Sequence, residues 1–267
     1  DGDEIFFVHT GCGRLSCDFG NLYYKKGDYL VVPKGTVYTL EPKEKTKFLI
    51  IESKGQIKLP DKGMLGQHAL FDPCVLKVPD LQDKFFEPRK SDKDEFRLAI
   101  KRNNQLTNVY YPHSPLNTVG WKGTLSVWQI NVADIRPVSS DRYHLPPSAH
   151  TTFLSTNFVV CSFLPRPLEN GDLGALKVPF YHMNIDYDEV LFYHSGDFFS
   201  RDGIGSGMMT LHPQGIHHGP QKGAIDRSKD LQCTNEIAVM IDTKNSLHMS
   251  EHIDSTENKN YWKSWRS

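Results

Sequence analysis

The side chains that could do chemistry are distributed unevenly between two copies of one stretch of this chain. Residues 1–11 read DGDEIFFVHTG, and residues 186–196 read DYDEVLFYHSG. The second copy is preceded by His182 and followed downstream by His218, whereas the first copy has no such partners. Imidazole groups can serve as acids, bases or metal ligands near neutral pH. The repeat indicates two related β-units, and this asymmetry assigns the chemistry to the second.

The repeat continues into the turns that follow each copy. Residues 27–38 and residues 207–218 both read G-x5-P-x-G-x2-(Y/H). β-Forming runs lie between these signals, and proline two residues before glycine is typical of a tight turn between strands. Short strands separated by such turns predict an all-β fold made of jelly-roll barrels.

The spacing in the second unit resembles the two motifs of the cupin family. It reads His182-x-Asn184-x4-Glu189-x6-Gly196 and then Gly207-x5-Pro213-x-Gly215-x2-His218. Many cupins carry a second histidine where Asn184 stands. The resemblance implies the metal ligands His182, Glu189 and His218, with Asp188 left open as a competitor of Glu189. Two imidazoles and one carboxylate leave open positions on the metal, which suits a non-haem Fe(II) oxygenase.

The first unit lacks part of this set. Tyr38 stands where His218 stands in the second unit, and the counterpart of His182 would fall before residue 1. We therefore predict a bicupin with an incomplete, metal-free N-terminal unit and a metal-binding C-terminal unit, and we expect residues to be missing upstream. The expected divisions are a first unit at residues 1–55, a connecting segment at 56–124 with a short helix at 96–100, and a catalytic unit with its tail at 125–267.

Composition limits the classes of partner. The 267 residues include 31 basic and 32 acidic ones, for a formal net charge of −1, so nothing indicates nucleic acid or a membrane surface as a partner. No apolar run approaches transmembrane length, and no signal peptide is visible. The five cysteines are scattered without a CxxC spacing, which predicts reduced thiols in the cytoplasm.

Three further blocks make the resemblance more specific. Residues 115–156, residues 178–184 (VPFYHMN) and residues 211–220 (LHPQGIHHGP) are similar, in this order, to the homogentisate 1,2-dioxygenase family, especially its bacterial branch. The resemblance implies Fe(II), O₂ and cleavage of a hydroquinone ring beside its acetate side chain. Homogentisate would become maleylacetoacetate, a step of tyrosine and phenylalanine catabolism. It also implies homotrimers or hexamers, and we expect the aromatic tail to pack on the surface or on a neighbouring subunit.

The resemblance also implies roles for single residues. His182, Glu189 and His218 match the iron ligands. His144 matches the histidine that contacts the ring hydroxyl and acts as acid and base, and His212 matches a second active-site histidine near the substrate. Deprotonating a hydroquinone needs a base that titrates near neutral pH, which suits either of these two histidines. Two residues that flank the first ligand, Tyr181 and Asn184, are assigned to the substrate site.

Two departures from the family pattern leave the substrate open. Phe198 stands where the animal enzymes carry a tyrosine near the substrate carboxylate, and Met183 replaces an arginine after the first ligand. One alternative is therefore a dioxygenase for gentisate or another substituted hydroquinone. The other is a non-oxygenase cupin, because the same ligands bind Mn, Ni or Zn. We assign His194 and His217 to the fold.

Overall fold

The computed structural model describes residues 1–61, 70–81, 95–118 and 125–266, and these ranges are mostly β. The strands are β1 (Asp3–Thr10), β2 (Gly13–Cys17), β3 (Gly20–Tyr24), β4 (Asp28–Val32), β5 (Tyr38–Pro42), β6 (Lys47–Ser53), β7 (Phe96–Arg102), β8 (Gln105–Tyr111), β9 (Trp128–Asn131), β10 (Thr151–Leu154), β11 (Phe158–Phe163), β12 (Asp188–Ser195), β13 (Met209–His212) and β14 (Ile237–Thr243). The helical segments are α1 (Lys222–Ser228) and the 3₁₀ turns Pro73–Val75, Val132–Asp134, Pro147–His150, Glu251–Ser255 and Tyr261–Arg266. No helix in these ranges is long and apolar enough to cross a membrane.

The chain divides into two compact units. The first comprises residues 1–57 and 71–135, and the second comprises residues 58–70 and 136–267. Of the segment expected to connect two barrels, the described residues 71–81 and 95–118 belong with the first unit, and residues 62–69, 82–94 and 119–124 lie outside the described residues. Strand β9, which was expected to begin the second unit, also belongs with the first.

The short helix predicted at residues 96–100 is wrong. These residues begin β7, which pairs with β8 in a hairpin whose turn is Asn103-Asn104. Both asparagines have positive φ, 49° and 61°, as the favoured two-residue hairpin turn requires. The apolar residues Phe96, Leu98 and Ile100 alternate with polar or small ones, and this period of two is typical of a strand.

Two antiparallel sheets contribute to the core of the first unit. Their strand orders are β6-β1-β4-β9 and β3-β2-β5. Phe6 and Val8 of β1 lie in one apolar cluster with Leu30 of β4 and with Leu15 and Leu22 of the other sheet. Residues two apart on a strand share a face, so Phe6 and Val8 contribute to this cluster together.

The second unit contains a five-stranded antiparallel sheet in the order β10-β11-β14-β12-β13. Within it, Glu189 of β12 lies directly opposite His212 of β13 and Asp242 of β14. Directly opposed residues in antiparallel strands project from the same face. The register therefore places a carboxylate between an imidazole and a second carboxyl group.

The internal repeat corresponds to equivalent structure in the two units. The sheet neighbours of β1 are β4 and β6, as those of β12 are β13 and β14. The turns match too, because a hydrogen bond of 3.2 Å joins Thr36 N–H to Pro33 O in one unit and Ile216 N–H to Pro213 O in the other. A third block also repeats, IIESKG at residues 50–55 and MIDTKN at residues 240–245, and it was not predicted.

The first acidic residue of each repeated strand anchors loops. Asp3 accepts backbone N–H bonds from Lys34 at 2.9 Å and from Ile57 at 2.8 Å, one on each carboxylate oxygen. Asp188 accepts equivalent bonds from Gln214 at 2.9 Å and from Leu247 at 2.7 Å. Both oxygens of Asp188 are thus engaged by backbone groups.

Candidate metal centre

His182, Glu189 and His218 converge in the second unit. Their ligand-type atoms lie within 4.8 Å of one another. Glu189 lies on β12, and the two histidines lie on extended segments joined by a bridge. In this bridge each histidine N–H donates to the carbonyl of the other at 2.9 Å. Backbone pairing therefore brings together two histidines that are far apart along the chain.

Backbone carbonyls orient both imidazoles. His182 Nδ1 lies 3.1 Å from the Phe180 carbonyl oxygen, and His218 Nδ1 lies 3.0 Å from that of Ile216. Because a carbonyl can only accept, Nδ1 carries the proton in each ring, and each Nε2 presents a lone pair. These two Nε2 atoms are 3.1 Å apart, and Glu189 Oε1 is 3.9 Å from that of His218. Electron-rich groups this close repel one another unless a cation lies between them.

The donor set fits a divalent metal ion. Two imidazole nitrogens at about 2.1 Å from one ion lie about 3 Å apart when the angle at the ion is a right angle, and the observed separation is 3.1 Å. Two imidazoles with one carboxylate leave further positions open, as in non-haem Fe(II) oxygenases. Glu189 and His218 are buried whereas His182 is exposed, so the cluster has one side open to solvent.

The electrostatic surroundings favour the protonation states that bind metal. Burial, aided by the charge of nearby His212, lowers the pKa of His218 to about 4, which keeps this imidazole neutral at physiological pH. Burial acts to raise the pKa of Glu189, but the hydrogen bond from His212 and the neighbouring histidine charges hold this pKa below its usual range. Burial and the charge of Glu189 raise the pKa of Asp242 to about 7. A neutral imidazole beside an ionised carboxylate is what a metal ion requires.

His212 lies beside the ligands. Its Nδ1 donates to Glu189 Oε1 at 2.6 Å, and its ring stacks on that of His218 with centroids 4.2 Å apart and an interplanar angle of 17°. This hydrogen bond fixes the direction of the Glu189 carboxylate and leaves His212 Nε2 for another partner.

His144 is held by a carboxylate that sequence analysis did not identify. His144 Nδ1 lies 3.0 Å from Oε1 of the buried residue Glu169, whose Oε2 has no hydrogen-bond partner among the described residues. The His144 ring lies edge-on to Phe180 at 5.3 Å, and Phe180 lies 5.5 Å from His182. One aromatic ring therefore separates His144 from a candidate metal ligand. Since the carboxylate binds the Nδ1 proton, Nε2 is the free nitrogen of His144.

The other residues assigned to the substrate site have local structural contacts. Tyr181 is exposed and lies against Gly219, where an added Cβ would come within 2.5 Å of the tyrosine ring. Asn184 Oδ1 accepts from the Asp186 N–H at 3.2 Å. Phe198 packs edge-on against Tyr193 and lines a pocket whose lining includes none of the three candidate ligands.

Known proteins resemble this chain over its whole length. A sequence profile described as the N-terminal part of homogentisate 1,2-dioxygenase matches residues 1–132. A protein of Saccharolobus solfataricus with a provisional dioxygenase designation is 36% identical over 99% of this chain and 68% of its own length. The homogentisate 1,2-dioxygenase of Bradyrhizobium diazoefficiens is 25% identical over 100% of this chain and 61% of its own length. Oxalate decarboxylase from Bacillus subtilis superposes with a TM-score of 0.37 at 11% identity, over 93% of this chain and 64% of its own.

The mostly-β fold and the cluster of two histidines and one glutamate define an all-β protein with a candidate metal centre. Within that class, the chain belongs to the homogentisate 1,2-dioxygenase family. The resemblance inferred from sequence is thereby confirmed at the level of the family. The chain spans about two thirds of the first relative and 61% of the second.

Proposed function

We propose that this chain is the catalytic part of an Fe(II)-dependent dioxygenase that converts homogentisate and O₂ to maleylacetoacetate, in tyrosine and phenylalanine catabolism. The observation that carries this proposal is the convergence of two imidazole lone pairs and one carboxylate in the second unit. Membership of a family of dioxygenases supports the type of reaction. We accordingly propose that the second unit is a metal-binding, catalytic cupin and that the first unit is a metal-free cupin.

The contacts of Glu4 support a metal-free first unit. Glu4 corresponds to Glu189 in the repeat, and its sheet neighbours are Val32 and Glu52 instead of His212 and Asp242. The Tyr38 hydroxyl donates to Glu4 Oε2 at 2.7 Å. A phenol therefore engages the carboxylate from the position where the second unit has a candidate ligand, and burial together with Glu4 raises the pKa of Tyr38 so that it stays protonated.

In the proposed reaction, His182, Glu189 and His218 hold the iron. Fe(II) supplies the route by which triplet O₂ reacts with a closed-shell aromatic ring. His144 removes a proton from the hydroquinone through Nε2, since its Nδ1 is held by Glu169. His212 keeps Glu189 oriented through its hydrogen bond and presents Nε2 to the substrate.

Tyr181 and Asn184 complete the proposed substrate site from either side of His182. The exposed ring of Tyr181 is available to a bound aromatic ring. The Asn184 side chain, which accepts from the Asp186 N–H, keeps its amide N–H groups as donors for a substrate oxygen.

Oxygen uptake tests the proposal directly. The protein is loaded anaerobically with Fe(II) and given homogentisate, and both O₂ consumption and the ultraviolet absorbance of the ring-opened product are followed. We expect one O₂ consumed per product formed, because both oxygen atoms enter the product. O₂ uptake with gentisate but not homogentisate would keep the reaction type and change the substrate. A protein that binds iron but consumes no O₂ with either compound would support a non-oxygenase cupin.

Replacement of a ligand gives a second test, with a neighbour as control. His218→Ala should abolish both iron binding and O₂ uptake, because two donors rarely hold iron against its competitors. His217→Ala removes an exposed histidine one position away and should leave both unchanged. Metal content after gel filtration and O₂ uptake are the two measurements. Retention of iron by His218→Ala would contradict the ligand assignment.

We also propose a cytoplasmic location and homotrimers or hexamers, as the family resemblance implies. The five cysteines form no disulfide bonds, which is consistent with a reducing compartment. Light scattering after size-exclusion chromatography measures the oligomeric state, and a monomer would contradict that part of the proposal.

A further inference from the structure

The segment Tyr261–Arg266 lies against the residues that follow His218. Trp265 Nε1–H donates to the Gly219 carbonyl oxygen at 3.0 Å. Gln221 Nε2 donates to the Tyr261 hydroxyl at 3.2 Å and to Ser264 Oγ at 3.0 Å. These three hydrogen bonds attach the segment one and three positions after a candidate metal ligand.

The segment has an internal structure that suits it for this contact. The Ser264 hydroxyl donates to the Tyr261 carbonyl oxygen at 2.7 Å, and the Tyr261 and Trp265 rings pack edge to face at 5.2 Å. The groups that contact residues 219–221 are therefore held together by a turn of 3₁₀ helix. Trp262 lies in the same turn but is exposed, and its ring contacts are with Lys263 and Arg266.

Gln221 makes this contact costly to lose. The residue is buried, with 1% of its surface exposed, and its Oε1 accepts from the Asp202 N–H at 3.1 Å. Its amide nitrogen has its hydrogen-bond partners on the segment Tyr261–Arg266. A buried amide left without partners is unfavourable, so the segment and the loop that carries His218 are stabilised as one unit.

The loop at residues 218–221 also contacts the segment that carries His182. Gly219 packs so closely on Tyr181 that an added Cβ would lie 2.8 Å from the Tyr181 Cα. Next to this contact, the backbone bridge joins His182 to His218. Contacts that hold Gly219 and Gln221 in place therefore also limit the movement of both histidines of the candidate centre.

We infer that the segment Tyr261–Arg266 positions the metal centre, by holding residues 218–221 in the conformation that binds the ion. Trp265 and Gln221 are thus positioning residues and not ligands. The inference rests on the proposed function insofar as His218 is a metal ligand. When a loop samples other conformations, the apparent affinity falls in proportion to the fraction that remains competent to bind.

A matched pair of tryptophan substitutions tests the inference. Trp265→Phe removes the indole N–H but keeps an aromatic ring, whereas Trp262→Phe makes the same change at an exposed position of the same turn. Two quantities are measured on each protein: the dissociation constant for Co²⁺, used as a metal that does not react with O₂, and the amide hydrogen exchange of residues 217–219 without metal.

We expect Trp265→Phe to bind Co²⁺ about five-fold more weakly, the usual effect of one lost hydrogen bond, and to exchange these amides faster. Trp262→Phe should match the unsubstituted protein in both measurements. Wild-type affinity for Co²⁺ in Trp265→Phe would overturn the inference. Circular dichroism checks the fold of each variant, and Tyr261→Phe, which retains the indole bond, provides a milder change if Trp265→Phe does not fold.

The two measurements separate this inference from the proposed function. If the unsubstituted protein binds no Co²⁺, the metal-dependent function fails, and so does the positioning of a metal by this segment. The exchange data would then still report whether the segment restrains the loop. If the unsubstituted protein binds Co²⁺ and Trp265→Phe binds it equally well, the proposed function stands and the inference fails.

Discussion

Four histidines of the second unit each have a hydrogen-bond acceptor at Nδ1, and the acceptor decides what Nε2 can do. Carbonyl oxygens hold His182 and His218, so that both Nε2 lone pairs face each other. Carboxylates hold His212 and His144, through Glu189 and Glu169 respectively. A carboxylate accepts the Nδ1 proton in a charge-assisted hydrogen bond, which fixes the tautomer and leaves Nε2 able to accept a proton. The first pair is therefore suited to ligation and the second to proton transfer.

At the residue scale, we predict that Glu169→Gln slows turnover without removing the metal. The amide no longer stabilises a protonated His144, so a base that contributes a factor of about 10² to 10⁴ should lose about ten-fold or more of its effect. The measurements are kcat and KM for homogentisate across pH, together with bound iron. kcat should fall while bound iron stays unchanged, a separation that a general loss of packing would not give. Glu257→Gln, at an exposed position, is the control, and an unchanged kcat in Glu169→Gln would exclude this role.

At the scale of elements, β1 and β12 carry the same pair of acidic residues, but the second acidic residue has different neighbours in each strand. In both strands the first acidic residue, Asp3 or Asp188, holds two loops through backbone N–H groups. The next residue, Glu4 or Glu189, meets different neighbours, a tyrosine hydroxyl in one unit and histidines in the other. The anchoring carboxylate is thus part of the fold, and the adjacent position is where the two units diverge.

We predict that Asp188→Asn destabilises the fold but retains metal binding. The asparagine can accept only one of the two backbone N–H bonds and turns an amide N–H toward the other, at a cost of about 2 to 3 kcal/mol. Urea unfolding gives the stability, and metal analysis of the folded variant gives the stoichiometry. Asp186→Asn, two residues away and exposed, should change stability by less than about 0.5 kcal/mol. Loss of metal from folded Asp188→Asn would identify Asp188 as the ligand.

At the scale of the whole molecule, a buried charge cluster couples stability to pH. Glu236 is buried in the second unit, and burial raises its pKa to about 7 even though Arg166 and Arg201 act to lower it. Burial also lowers the pKa of Arg166. In the unfolded chain, Glu236 has its ordinary pKa of 4.5. Between these two pH values the folded state keeps a proton that the unfolded state has lost, so stability falls as the pH rises and then levels off.

We predict that Glu236→Gln removes this decrease in stability with rising pH. From pH 5 to pH 8 the unsubstituted, metal-free protein should lose up to about 3 kcal/mol relative to the variant, given the difference between the two pKa values. The quantity compared is the change of the free energy of unfolding with pH. Its value at a single pH is not compared, because the variant also alters the surroundings of both arginines at every pH. Urea unfolding at several pH values measures it, with Glu257→Gln as the control. Parallel pH profiles for Glu236→Gln and the unsubstituted protein would mean that Glu236 is ionised in the fold.

Much of the architecture and the residue types of the site could be predicted from sequence. Strand period and turn chemistry are local properties, so the repeat predicted the strands β1 and β12 and the matching turns, where Gly35 and Gly215 both have positive φ. Spacing and resemblance together named His182, Glu189 and His218, because a fold family fixes where ligands fall between its turns. The hairpin at β7 was missed, since a short apolar alternation is ambiguous until its partner strand is known.

The sequence by itself thus determined the repeat, the mostly-β class, the family and the residues that converge as candidate ligands. Only the tertiary structure decided which partner each of those residues has. Glu169 meets His144, and Trp265 meets Gly219, across 25 and 46 positions of the chain. Asp242 lies opposite Glu189 because of strand register. Such pairs carry no local signal, since they result from packing and strand pairing and not from the period of any one element.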